Sequence, residues 1–146
     1  MGDASDTSCC PQYWPYDDQE ATHDHVTVKH VSTVTLPGYI QRDFVIRSTK
    51  TREEIRTTRI QYIGWGHCTN GVEDDSVPPL QQISHFVTVA LEAIAARARQ
   101  FQAGSAYLHC STAKIRSSVL AALCILMKQL KIEGYVDVFT VGKREA

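Results

Sequence analysis

The side chains best placed by type and spacing to do chemistry are Cys110 and Arg116, separated by five residues and followed at once by Ser117. The residues between them are Ser111, Thr112, Ala113, Lys114 and Ile115. A loop of this length entering a helix aims backbone N–H groups and the helix's positive end at one point, which suits a tetrahedral oxyanion. The same field lowers a thiol's pKa, which would make Cys110 a thiolate nucleophile at neutral pH. Arg116 offers a planar fork for two phosphate oxygens. Taken out of that context, Cys110 reads as a core cysteine and Arg116 as a helix-start arginine, because this spacing is common by chance.

The elements around the pair supply the context. Ala106, Tyr107 and Leu108 predict a short buried strand just before Cys110. After it, Val119, Leu120, Leu123, Ile125, Leu126, Met127 and Leu130 predict a helix apolar almost all round, hence central and packed on more than one side. Gly134 ends that helix, and 135–141 opens a last amphipathic segment. Upstream, Leu80, Ile83, Val87, Leu91, Ile94, Ala98 and Phe101 recur at helical spacing after Pro78 and Pro79, and the helix should stop at Ala103 and Gly104. Residues 66–79 form a loop with the acidic run Glu73, Asp74 and Asp75. Residues 26–65 alternate in β-branched and aromatic side chains around a charged turn at 48–54, which predicts an antiparallel meander. Residues 1–25 are polar and turn-rich, with 1–9 expected to be disordered and 10–146 to form a partial domain.

The composition narrows the setting. With 146 residues, 43% apolar, and 15 basic against 16 acidic side chains, the chain is of ordinary globular type. A net charge of -1 gives no bulk attraction to nucleic acid or anionic membrane, and neither is expected as a partner. No apolar run approaches the ~18 residues of a membrane span, and the first residues do not read as a secretory signal. Five irregularly spaced cysteines, Cys9, Cys10, Cys68, Cys110 and Cys124, then favour reduced thiols in the cytoplasm. His23, His25 and His30 cluster loosely without a set that completes a metal site, and a polar strand edge is the expected place for them.

Four segments in order bring in a family. Cys10 to Pro15 matches a Cys-x-x-Tyr-Trp-Pro pattern, and 39–65 is similar to a strand pair leading into a mobile acid loop. His109 to Arg116 matches His-Cys-x5-Arg, and Glu133 to Phe139 is similar to the segment after the central helix. On these segments the chain resembles the protein tyrosine phosphatases, most closely the second, membrane-distal domain of receptor-type enzymes. The resemblance implies an α/β (α+β) fold, a mixed sheet flanked by helices with the Cys-x5-Arg loop between a strand and a central helix. It also implies a domain truncated at both ends, lacking family segments before Cys10 and after Ala146, including the glutamine that positions hydrolytic water. The implied reaction is thiolate attack on phosphotyrosine, giving a cysteinyl-phosphate that water hydrolyses, while a loop acid protonates the tyrosinate. It requires no metal and no cofactor. Cys110 is then the nucleophile and Arg116 the clamp within the phosphate loop 111–116. Ser117 replaces the signature threonine that bonds the thiolate, and His109 tunes Cys110 from behind.

The chain departs from this family where it matters most. Ala113, Ile115 and Ser118 stand where the family has glycines, and a β-branched Ile115 is expected to damage the cradle most. Where the family reads Trp-Pro-Asp, this chain reads Trp65, Gly66 and His67, with Gly71 and Val72 arriving late. His67 is the candidate replacement acid; a surface histidine in a loosened loop is the plainer reading. The expectation is a catalytically impaired domain that binds a phosphotyrosine protein or peptide, or another phosphatase domain. The alternatives are an active tyrosine phosphatase and an inactive fragment. Either way the setting is cytoplasmic, alone or as the intracellular part of a longer receptor.

Overall fold

The computed structural model describes residues 12–65, 78–99, 105–110 and 115–144. The chain divides into two compact units, Met1–Ser76 and Val77–Ala146. The first is the expected antiparallel meander, β1 (Glu20–His23), β2 (Val26–Leu36), β3 (Tyr39–Ser48) and β4 (Glu54–Tyr62), in the order β1-β2-β3-β4. Sequence patterning did not reveal β1, since its residues, Glu-Ala-Thr-His, show no apolar alternation. It is a strand because it pairs with β2, from Glu20 opposite Lys29 to His23 opposite Val26. The β2–β3 turn uses Pro37 followed by Gly38 at φ 85°, a conformation that glycine adopts without the Cβ penalty.

Both faces of the sheet are tied by polar side chains. On one, Asp43 accepts hydrogen bonds from Ser32 (3.1 Å) and Thr58 (2.7 Å), its register partners on β2 and β4. On the other, Arg42 lies directly opposite Arg59, a like-charge pair that would destabilise the ladder by itself. Two features offset this. Both guanidinium groups donate to Gln61 Oε1, at 3.0 and 2.6 Å. Both also lie over the Trp14 ring, at 3.8 Å for Arg59 and 5.3 Å for Arg42, while Tyr13 meets Trp14 edge-on. The Tyr-Trp-Pro segment thus acts as a lid on two arginines.

His30 corrects the strand-edge expectation. It sits in interior strand β2 beside a register shift, only 3% exposed. Its Nδ1 accepts the Asp18 N–H (3.2 Å), so Nε2 carries the hydrogen that faces Thr33 Oγ1 (2.8 Å) and Asp17 Oδ1 (3.3 Å). This histidine is a satisfied core residue, whereas His23 and His25 are exposed.

The second unit is helical. Helix α1 (Leu80–Arg99) begins where the prolines predict, with Pro79 C=O accepting from Gln82 and Ile83. Its buried stripe is Ile83, Phe86, Val87 and Ala90, while Leu80 and Ile94 fall outside it and are exposed. None of the residues of helix α2 (Arg116–Glu133) is buried, although the sequence is apolar almost all round. Within this unit it packs on α1 and α3 (Val138–Arg144), which leaves Ile125 and Leu130 exposed. The predicted strand at 106–108 is also absent. Tyr107 is 89% exposed and the segment pairs with no strand among the described residues, and pairing is what three apolar residues need to become one. No helix of the described residues is long and apolar enough to cross a membrane.

Candidate functional site

The site begins where the irregular stretch 105–110 hands over to α2. Cys110 Sγ lies 3.4 Å from Ser117 Oγ, both half-buried, across the turn that starts the helix. The first turn of α2 carries Arg116 and no carboxylate, so no acidic side chain of that turn offsets the positive helix end. Ile115 occupies the N-cap position; its C=O accepts the Val119 N–H (2.9 Å), and its own side chain makes no cap hydrogen bond. A helix supplies no internal acceptor for those amides, which makes its start suited to an anion. Cys110 and Ser117 are therefore brought together at the start of α2, where Arg116 directly precedes Ser117.

Ile115 differs from expectation. Its backbone lies at φ −89° and ψ −62°, in the right-handed region open to every L-residue. The glycine argument applies to left-handed conformations, and here none is required. His109 is exposed. His67 and the loop residues Ser111, Thr112, Ala113 and Lys114 lie outside the described residues, as do Cys9, Cys10 and Cys68. The other described free thiol, Cys124, sits within α2, where burial pushes its pKa up. A concavity of about 320 Å³ in the first unit is lined by Thr27, Arg47, Glu54 and neighbours, none of them a residue singled out for chemistry.

The sequence reading missed the corner after α2. Gly134, at φ 78°, donates its N–H to Leu130 O (3.0 Å) and turns the chain out of the helix. Gln129 Nε2 then donates to Glu133 (3.1 Å), and Gln129 Oε1 accepts the Asp137 N–H (3.0 Å). Asp137 caps α3 by accepting the Thr140 N–H (2.9 Å). The signals were present: Gln129 and Glu133 are four apart, and an aspartate directly precedes a helical run.

A cysteine beside the start of a helix, in an α+β chain whose sheet is an antiparallel meander, sets the frame in which known proteins are similar to this chain. The protein-tyrosine phosphatase family model matches residues 3–144, and the chain belongs to that family. It is 32% identical over 136 residues to tyrosine-protein phosphatase 69D of Drosophila melanogaster, covering 92% of this chain and 9% of that protein. It is 27% identical to receptor-type tyrosine-protein phosphatase V of Rattus norvegicus, covering 89% of this chain and 7% of that protein. Identity to receptor-type tyrosine-protein phosphatase H of Homo sapiens is 24%, over 92% of this chain and 11% of that protein. The chain thus spans about a tenth of the length of these relatives.

Proposed function

We propose that the chain is a phosphotyrosine-recognising domain with impaired turnover, binding the phosphate ester at the turn from Cys110 into α2. The observation that carries this reading is the Cys110–Ser117 contact at 3.4 Å beside Arg116, on a helix start without carboxylates. There the Ser117 hydroxyl can hold a thiolate or an incoming oxygen, and Arg116 can clamp two equatorial oxygens. Impairment follows from the acid loop, where His67 stands near the family's aspartate. Loss of general acid catalysis costs roughly 100- to 10,000-fold in rate. The substrate class, a cytoplasmic setting and a partner that is a phosphotyrosine protein or another phosphatase domain all belong to this proposal.

One observation favours the second reading, an active phosphatase working through a cysteinyl-phosphate: the relaxed backbone of Ile115 removes one reason for a damaged cradle. Calorimetry with a phosphotyrosine peptide and turnover of para-nitrophenyl phosphate, each with Cys110→Ser and Arg116→Met, separate the two. Impaired recognition predicts peptide binding that survives Cys110→Ser and weakens at least ~10-fold in Arg116→Met, since charge-assisted bonds are worth about 1.5–3 kcal/mol. Substantial turnover abolished by Cys110→Ser would establish the second reading. Absence of both binding and turnover refutes both.

A further inference from the structure

The corner between α2 and α3 carries a tyrosine that the phosphate-binding reading does not use. Tyr135 is 60% exposed and lies in the non-helical stretch 134–137, between Glu133 and Asp137. The Glu133 carboxylate, as acceptor and as charge, and then the nearby Asp137 push its pKa up. Glu133 also accepts from Gln129 Nε2 (3.1 Å), and Gln129 Oε1 in turn accepts the Asp137 N–H (3.0 Å). Asp137 then holds the first turn of α3 through Thr140 N–H (2.9 Å) and Val141 N–H (3.3 Å). A single network therefore runs from Glu133, two residues before Tyr135, to the amides of α3.

The other exposed tyrosines are differently placed. Tyr107 is flanked by Ala106 and Leu108 and has no carboxylate beside it. Tyr13 meets Trp14 edge-on and lies 5.8 Å from the Arg59 guanidinium, on the sheet. Tyr16 precedes Asp17 and Asp18, but its C=O accepts the Gln19 N–H, and Asp17 is held by Thr33, so this turn is bound to the sheet. Only Tyr135, among these, combines exposure, carboxylates on both sides and a segment outside helix and strand.

We propose that Tyr135 is a phosphorylation site for a tyrosine kinase that reads flanking carboxylates, and that the added phosphate uncouples α3 from the end of α2. The phenolic oxygen attacks the γ-phosphorus of a nucleoside triphosphate. The new O–P bond forms as the β–γ bridging P–O bond breaks, the phenolic proton passes to the kinase's base, and the diphosphate leaves. Charge pattern around the acceptor is one of the features by which kinases choose substrates. A dianion then stands two residues from both Glu133 and Asp137 and repels the carboxylates at the two ends of the network.

The full chain would be incubated with a tyrosine kinase that prefers acidic substrates and Mg-ATP, with sites mapped by mass spectrometry. Amide exchange would then be read at Thr140 and Val141. One phosphate on Tyr135 is expected, with those two amides exchanging about 10-fold faster. In phosphorylated Glu133→Gln the acceleration should shrink, because the nearby charge is gone; in Tyr135→Phe no phosphate should enter the corner. Labelling of Tyr16 or Tyr107 in place of Tyr135, or labelling only after heat denaturation, overturns the site. Phosphorylation of Tyr135 with unchanged exchange at Thr140 and Val141 overturns the coupling.

Discussion

Removing the Trp14 ring should expose how much of the sheet's stability rests on one indole. Trp14→Ala takes away a cation–π contact at 3.8 Å to Arg59, one at 5.3 Å to Arg42, and an edge contact to Tyr13. The Arg59 contact is the shielded one: its Nε is buried with no oxygen or nitrogen partner among the described residues, so the indole face is its neighbour. A desolvated pair of this kind is worth about 1–2 kcal/mol, and the longer Arg42 contact about 0.5. The aromatic pair adds about 0.5–1 kcal/mol. With the lost apolar area, the total should fall at about 3–4 kcal/mol, within the ~3–5 usual for Trp→Ala. Urea melts by circular dichroism on wild type, Trp14→Ala, Arg59→Met and the double variant give the cycle. Methionine keeps the stem while removing charge, and it also relieves the Arg42–Arg59 opposition, so this single variant should be mild. The expected coupling is about 1–2 kcal/mol. Additivity within ~0.3–0.5 kcal/mol would refute the claim that Trp14 stabilises the arginine pair.

Other changes probe the remaining contacts. His30→Leu strips the Asp18 N–H of its acceptor and should cost about 1–3 kcal/mol, read by the same melts. Asp137→Ala removes the α3 cap and should cost about 1 kcal/mol locally, seen as faster exchange of the Thr140 amide. Tyr62 and Tyr135 both titrate above the ordinary tyrosine range, Tyr62 because of burial and Tyr135 because of the Glu133 carboxylate. A pKa raised on folding means the folded state holds the phenolic proton more tightly. This contribution is therefore full below the unfolded-state value of ~10 and is lost as pH rises through the folded value. Ultraviolet titration should place both phenols above the free-tyrosine transition, and melting temperature should fall across that range. Cys124, with its thiol pushed up by burial, should alkylate slower at pH 7 than a free cysteine and catch up only on unfolding, as mapped by mass spectrometry.

What was legible in the chain depended on where each element gets its stability. The meander and α1 declare themselves because their own patterns dictate them: alternation from Val26 onward, and a helical repeat in which Ile83 and Val87 are buried, with Phe86 and Ala90 added by packing. β1 was invisible because its strand character comes from Lys29 to Val26 across the ladder and none of it from its own residues. His30 was misplaced for a related reason. Polarity suggests an edge, but two ring nitrogens can both be satisfied in an interior strand by an amide, a threonine and an aspartate. Where apolarity was read as burial, it misled. Leu108 and Ile125 are exposed because neither apolar type nor helical run says what will cover a side chain.

The site shows the same divide between residue type and backbone state. A helix beginning at Arg116 carries Ser117 in its first turn, where the hydroxyl meets the Cys110 thiol at 3.4 Å. The harm expected from Ile115 assumed that a position where relatives have glycine needs glycine's conformations. Ile115 itself lies at φ −89°, so its own backbone carries no left-handed strain. Conformational freedom lost in the unfolded chain can even stabilise such a turn, as it does when glycine is replaced at a compatible site. Ile115→Gly should therefore leave phosphate-ester affinity no better, and any deficit in turnover must be sought at the acid, where His67 stands in place of a carboxylate. Calorimetry with vanadate on Ile115→Gly tests this directly: a gain of ~10-fold or more would show that the isoleucine, despite its relaxed backbone, closes the cradle to anions.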